Sequence, residues 1–216
     1  MPARSCVGRT QQGEHALRGT FWRIGALAFL RFQHRGGERG TLNSNAIRRI
    51  FTDHIGDMWV GTYPSGVNLY DRSTNAIRRY GLNTEPNRGL PSDSVEAIEE
   101  NPDGTLWIGA NGVTLFDPKT ELFKYYPHTE GPDSRSDSSS FLPGLVDSEG
   151  EVRFGSWSHG ILRYNREKDR FDEVPADPTL TKRGIKTSNL LNDKMVWNIY
   201  EDRQKTLWIS THYNGL

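Results

Sequence analysis

The sequence predicts an all-β chain built from four-stranded antiparallel units repeated along its length. Three observations carry this. A motif centred on Trp and Gly recurs at intervals of about 50 residues. No window sustains the 3.6-residue apolar period of an amphipathic helix. Gly, Pro, Asn and Asp punctuate short alternating stretches, as turns punctuate strands. Composition is compatible: of 216 residues 34% are hydrophobic, a low value that 9 Phe, 8 Tyr and 6 Trp offset through their large buried area.

The motif first reads Ile50-Phe51-Thr52-Asp53-His54-Ile55-Gly56-Asp57-Met58-Trp59-Val60-Gly61-Thr62. It returns as Ile98 to Ala110 with Trp107-Ile108-Gly109, as Val146 to Ser156 with Arg153-Phe154-Gly155, and as Ile199 to Thr211 with Trp208-Ile209-Ser210. Gly61, Gly109, Gly155 and Ser210 are equivalent, at separations of 48, 46 and 55 residues. A second marker holds the register: Phe32 to Ile47, Tyr80 to Val95 and Tyr126 to Phe141 are each 15 residues.

The unit around Trp107 shows the strands. Val95–Glu100 alternates as a first strand, and Asn101-Pro102-Asp103-Gly104 has the composition of a hairpin turn. Thr105–Ala110, Val113–Asp117 and Leu122–Tyr126 follow as second, third and fourth strands. Four short strands per 40–50-residue repeat is the pattern of β-propeller blades. A lone blade cannot bury both faces, so Trp59, Trp107 and Trp208 read as wedges between blades, while Arg153 is expected to snorkel outward and weaken its blade. The expected organisation is an irregular N-terminus over 1–19, a degenerate partial blade over 20–45 with an outer strand at Phe29–Phe32, blades over 46–80, 95–126 and 141–174, and a truncated blade over 195–216. Four blades, three of them complete, make an open arc of a larger propeller, with self-association of its uncovered ends the expected consequence.

These residues resemble the two-component regulator propeller repeat, V-x-x-I-x-x-D-x-x-G-x-L-W-I-G-T-x-x-G-L-x-x-Y-D. Ile47, Asp53, Gly56, Trp59-Val60-Gly61-Thr62 and Gly66-Val67-Asn68-Leu69-Tyr70-Asp71 follow it nearly throughout. Trp107-Ile108-Gly109 and Gly112-Val113-Thr114-Leu115-Phe116-Asp117 follow with a shortened loop; the third copy has Arg153 at the Trp position, and the fourth has Lys205 at the turn Gly. The resemblance implies a sensor segment, usually periplasmic, of a membrane receptor whose output module is a histidine kinase or diguanylate cyclase.

Chemistry is sparse. Lys plus Arg and Asp plus Glu are 27 each, so no basic field points to nucleic acid. Cys6 is the sole cysteine, which excludes an internal disulfide or a cysteine zinc cluster. No apolar run is long enough to span a membrane, and the stretch Ile24–Leu30 begins late, is followed by Arg31, and has no small-residue cleavage site. Asp53-His54-Ile55-Gly56-Asp57 falls in a hairpin-turn slot and reads as a turn, not a metal loop. Glu99 and Glu100 point to opposite faces of a strand and cannot share acid–base work. Ser158-His159 has no counterpart in other units. The reading is therefore no catalytic residue, no metal and no cofactor.

What varies between units is the loop after each Trp motif. It carries Tyr63, Asn111, Trp157 with His159, and His212 with Tyr213. These are the candidate ligand-binding residues, and Trp59, Gly61, Trp107, Gly109, Gly155 and Trp208 the structural motif. The function expected is recognition of a small molecule or glycan by a non-catalytic propeller segment. The alternatives are a stand-alone propeller enzyme acting on polysaccharide, a lyase or glycosidase, which needs converging carboxylates or a Tyr/His/Arg set, and a protein-binding scaffold.

Overall fold

The computed structural model describes residues 21–24, 27–83, 87–127, 141–157, 159–174 and 195–212, with the backbone alone for 21–30 and 141–143. Every regular element described is a strand. A hairpin, β1 (Phe21–Ile24) and β2 (Leu27–Leu30), comes first. Sheet I follows, with β3 (Ile47–Thr52), β4 (Met58–Thr62), β5 (Gly66–Asp71) and β6 (Ala76–Tyr80). Sheet II holds β7 (Ala97–Glu100), β8 (Leu106–Ala110), β9 (Gly112–Asp117) and β10 (Leu122–Tyr126). Sheet III holds β11 (Phe141–Val146), β12 (Val152–Ser156), β13 (Ile161–Asn165) and β14 (Arg170–Glu173). Sheet IV is the pair β15 (Val196–Glu201) and β16 (Leu207–Thr211).

Within each sheet every strand pairs antiparallel with its sequence neighbour. The first strands of successive sheets lie side by side, β3 against β7, β7 against β11 and β11 against β15. This is the propeller arrangement, with first strands innermost. Among the described residues the sheets stay open: β15 and β16 pair with each other and with no other strand, and so do β1 and β2. Phe29, expected in an outer strand ending at Phe32, pairs with Trp22, while Phe32 packs on Tyr70 with ring centroids 4.7 Å apart. The expectation for residues 1–19 lies outside the described residues.

One turn is built four times. Asp53, Asn101, Asp147 and Asp202 each donate their N–H across the first hairpin, to Asp57, Thr105, Glu151 and Thr206. Each also accepts, through its side chain, from the residue six positions on: Trp59 Nε1 at 2.9 Å, Trp107 Nε1 at 2.9 Å, Trp208 Nε1 at 2.8 Å, and Arg153 Nη1. Arg153 thus does not snorkel outward. Its guanidinium replaces the indole N–H on the same acceptor, and the head stays half-buried because its charge is met by Asp147. Burial opposes the Asp147 charge, but Arg153 and the Glu151 and Glu149 amides outweigh it and hold that carboxyl below its ordinary pKa.

With its N–H satisfied inside its own sheet, each indole can bury its ring against the next. Trp59 lies 5.7 Å from Phe116, and Trp107 lies 4.9 Å from Tyr164, the same position one sheet on. Beside Trp59 and beside Arg153 the sheets nearly touch. A Cβ on Gly61 would stand 2.8 Å from Val95 Cγ1, and one on Gly155 would stand 2.9 Å from Val196 Cγ1. Val95 and Val196 are fully buried knobs in these glycine sockets. Outer edges are clasped as well: the Tyr80 hydroxyl donates to Glu121 at 3.0 Å and Tyr126 to Asp169 at 2.9 Å. At the inner turns, Glu100 of sheet II accepts from His54 N at 2.9 Å, and Glu201 of sheet IV from Ser148 N at 2.8 Å.

Truncating Trp107 to Ala removes a ring that is 2% exposed and opens a cavity between sheets II and III. The loss expected in urea unfolding is about 3–5 kcal/mol. The turn glycines Gly56, Gly104 and Gly150 sit at φ 94°, 84° and 78°, and Lys205 is forced to φ 63° at the same place. Lys205→Gly should therefore raise stability by roughly 0.5–1 kcal/mol in the same assay, left-handed strain outweighing the added chain entropy.

Candidate functional site

The residue after the second strand occupies one structural position in all four sheets. Tyr63, Asn111, Trp157 and His212 follow β4, β8, β12 and β16 in turn. The backbone confirms the equivalence at both ends of the arc: Tyr63 N donates to Ala46 O at 2.9 Å and His212 N to Met195 O at 3.2 Å. A repeat that copies the strands also copies this end of each sheet, so the four residues share one rim.

A β-bulge shapes that rim. The β3–β4 register slips between Ile47 and Arg49, and the β15–β16 register between Val196 and Asn198. The extra residues are Arg48 and Trp197. A bulge re-aims its side chain out of the strand's alternation. Arg48 thereby lays its guanidinium over the Tyr63 ring, 5.2 Å from the centroid, and comes within 4.0 Å of Glu96 at the matching place in sheet II. Trp197 comes to lie between two candidate residues, 5.7 Å from Trp157 and 5.8 Å from His212.

The structure so brings Trp157 and His212 together, through a residue the sequence reasoning missed. Trp157 is 43% exposed and Trp197 41%, although Trp197 lies tilted against both of its neighbours. The signal was available: position 197 is a Trp where the other three units carry Arg48, Glu96 and Leu142. The remaining candidates stand apart. Tyr63 belongs to the Arg48 pair. Asn111 turns its carbonyl to the Tyr125 hydroxyl, which donates at 3.1 Å. His159 places Nδ1 2.9 Å from Glu173 Oε1 and its N–H on Ser156 Oγ. Tyr213 lies outside the described residues.

Elsewhere the titratable groups serve the frame. Asp53 accepts from Trp59, and His54 Nδ1 is 2.5 Å from Glu100 Oε1, a bond that raises the His54 pKa. Glu99 takes the opposite side of β7 and accepts from Arg49 Nη2 at 2.7 Å, joining the innermost strands of sheets I and II. Among the described residues no three His, Cys, Asp or Glu side chains are grouped to hold a metal. No described helix is long and apolar enough to cross a membrane.

Burial raises the Glu99 carboxyl to a pKa of about 7, against the opposing pull of Arg49. A carboxyl raised above its unfolded value near 4.5 stabilises the fold fully below that value. Its contribution is lost as pH climbs through about 7. The urea midpoint is therefore expected to fall between these two pH values, and Glu99→Gln to flatten that fall.

Three segments of the chain, residues 41–63, 89–112 and 190–213, match the two component regulator propeller model. Histidine kinase P4 of Formosa agariphila is 30% identical over 168 residues, which is 72% of this chain and 12% of that protein. Two extracellular domains from B. thetaiotaomicron superpose well. One, assigned to the hybrid two component system BT3049, has a TM-score of 0.65 at 21% identity, covering 87% of this chain and 22% of that one. The other, assigned to BT4673, has a TM-score of 0.65 at 20% identity, covering 91% and 24%. Streptogramin B lyase, an enzyme, scores 0.51 at 15% identity over 76% of this chain and 47% of that one.

At such identities the likeness to solved structures shows the fold alone. Fold and family model agree: the chain is a β-propeller segment carrying two-component regulator propeller repeats. It spans about an eighth of the curated relative and less than a quarter of either extracellular domain.

Proposed function

We propose that this segment belongs to the sensory propeller of a signal-transduction receptor and recognises its ligand, a small molecule or glycan, at the rim cluster of Trp157, Trp197 and His212. The single observation that carries the reading is the cluster itself. Large aromatic rings left exposed in mutual contact forgo burial that the same side chains obtain elsewhere in this fold, and such patches mark recognition surfaces. Flat indole faces suit the apolar face of a sugar ring or another planar ligand, while His212 adds a hydrogen-bonding edge.

Support for the signalling context comes from the repeat type and from the relative named a histidine kinase. The matching extracellular domains favour placement outside the cytoplasm, in the periplasm. The segment reads as non-catalytic: Glu99, Glu100, His54 and Asp53 are each committed to inter-sheet or turn bonds. Because one propeller of this fold is a lyase, the test includes turnover. A glycan array and a thermal-shift ligand screen are run beside a polysaccharide degradation assay. The expected result is binding without turnover, lost at least tenfold in Trp157→Ala and Trp197→Ala with melting temperatures unchanged. Turnover of any polysaccharide, or binding indifferent to both substitutions, would sink the reading.

A further inference from the structure

Each sheet contributes two positions to the rim: the residue after its second strand and the residue that steps out of its first. In sheet IV these are His212 and Trp197, and in sheet I they are Tyr63 and Arg48. The matching first-strand residue of sheet II is Glu96, whose N–H donates to Gly109 O at 2.9 Å. The rim therefore changes character along the arc. It is aromatic over the joint of sheets III and IV and charged over the joint of sheets I and II.

Arg48 is held by a ring and not by an acid. Its guanidinium lies 5.2 Å from the Tyr63 centroid, while Glu96 Oε1 stands 4.0 Å from Arg48 Nε, beyond hydrogen-bond range. That oxygen already accepts from the Ser94 hydroxyl at 3.0 Å. Among the described residues no hydrogen bond is made by the Arg48 guanidinium. Other arginines of sheet I differ: Arg49 donates to Glu99 at 2.7 Å, and Arg79 to Thr41 O at 2.6 Å and Glu38 O at 2.9 Å. Stacking occupies a face of the guanidinium, whereas its N–H donors radiate in the plane and stay open. The Arg48 side chain is 51% exposed. Tyr63, which sets the angle of the stack, is fixed through its backbone. Its N–H donates to Ala46 O at 2.9 Å, and its carbonyl accepts from Ser44 Oγ at 3.0 Å. A planar donor fork, oriented in advance and unbonded, matches a carboxylate, which it can take by two parallel bonds.

We infer that Arg48 is a specificity-determining residue of the rim and pairs with a carboxylate of the ligand, so that the glycan recognised there carries acidic sugar units. This rests on the rim reading proposed above and narrows it. Arg48 and the aromatic cluster stand over different joints of one arc, so a ligand that meets both is an oligosaccharide. An apolar sugar face lies on the indoles, and an acidic unit further along the chain pairs with Arg48. Glu96 sets a threshold. Its charge stands close to Arg48 without bonding it and repels an incoming carboxylate, so the two new bonds must outweigh that repulsion. A neutral sugar unit gains no ion pair there and leaves the fork in water.

A glycan array of uronic-acid, sulfated and neutral oligosaccharides tests this on the 216-residue chain, with hits titrated by calorimetry beside their carboxyl-reduced forms. Uronic-acid oligosaccharides should bind more tightly than their reduced forms by roughly ten- to a hundredfold, the contribution of a charge-assisted pair. Arg48→Ala should abolish that preference while leaving the affinity of the reduced forms unchanged. Added salt should weaken uronic-acid binding to the wild type and not to Arg48→Ala. Glu96→Gln should tighten uronic-acid binding by about two- to fivefold. Both variants should keep the wild-type circular dichroism. Hits that are all neutral, hits that carry sulfate and no carboxylate, or a uronic-acid preference that survives Arg48→Ala would each overturn this inference. The rim reading would then still stand wherever Trp157→Ala abolishes binding. Absence of any glycan binding would overturn both.

Discussion

The constraint on which the rest of this structure depends is the indole N–H. A Trp ring can lie between two β-sheets only if that donor finds an acceptor without leaving the interface. Here the acceptor is an Asp or Asn six residues earlier, whose side chain and backbone already hold the hairpin turn. One side chain therefore fixes three things: the turn, the rotamer of the ring and the face it presents. Sheet III shows what the position requires, since Arg153 keeps the donor while changing the ring. Among the described residues, the core between sheets III and IV has Ile161, Val196 and Ile199 as its buried members, with Leu145, Val174 and Ile209 packed on them. The joint between sheets I and II, which has Trp59, buries ten.

Much of this was legible in the sequence, and for a physical reason. A repeat turns each local choice into several observations of the same choice, so the turn, the Trp and the glycine declare themselves by recurrence. Trp59 and Trp107 are buried as a wedge must be, because each has a following sheet to cover it. Trp208 carries the same local sequence and stays half-exposed, since burial of that face belongs to the neighbour and not to the strand that bears it. The outward Arg153 was misjudged because charge was weighed without its partner: Asp147 sits at the same six-residue spacing that serves the indoles.

The rim was harder to read. Alternation along Val196-Trp197-Asn198 assigns faces by a period of two, and a bulge breaks that period by one residue. Nothing in a single strand announces the slip; it appears in the cross-strand register, where Val196 faces Thr211 and Asn198 faces Ser210. The variable residues Tyr63, Asn111, Trp157 and His212 were found because they follow an invariable landmark. Trp197, which binds two of them into one cluster, hid inside a strand.

The cluster lies over one joint. Trp157 belongs to sheet III and Trp197 with His212 to sheet IV, so the three rings straddle the interface that has the fewest buried apolar residues among those described. A ligand lying across both indoles touches two sheets at once, and its binding energy includes whatever it adds to their contact. By linkage, such a ligand favours the arrangement of sheets in which both rings are presented together. The same joint carries the Glu201 clasp on the Ser148 turn, at 2.8 Å to the amide and 3.0 Å to the hydroxyl. Sheet IV is thus tied to its neighbour by polar bonds at the turn, by an aliphatic cluster around Ile161, Val196 and Ile199 in the middle and by aromatic rings at the rim. On the proposed reading, a ligand held at the rim acts on the joint whose described core is the smallest.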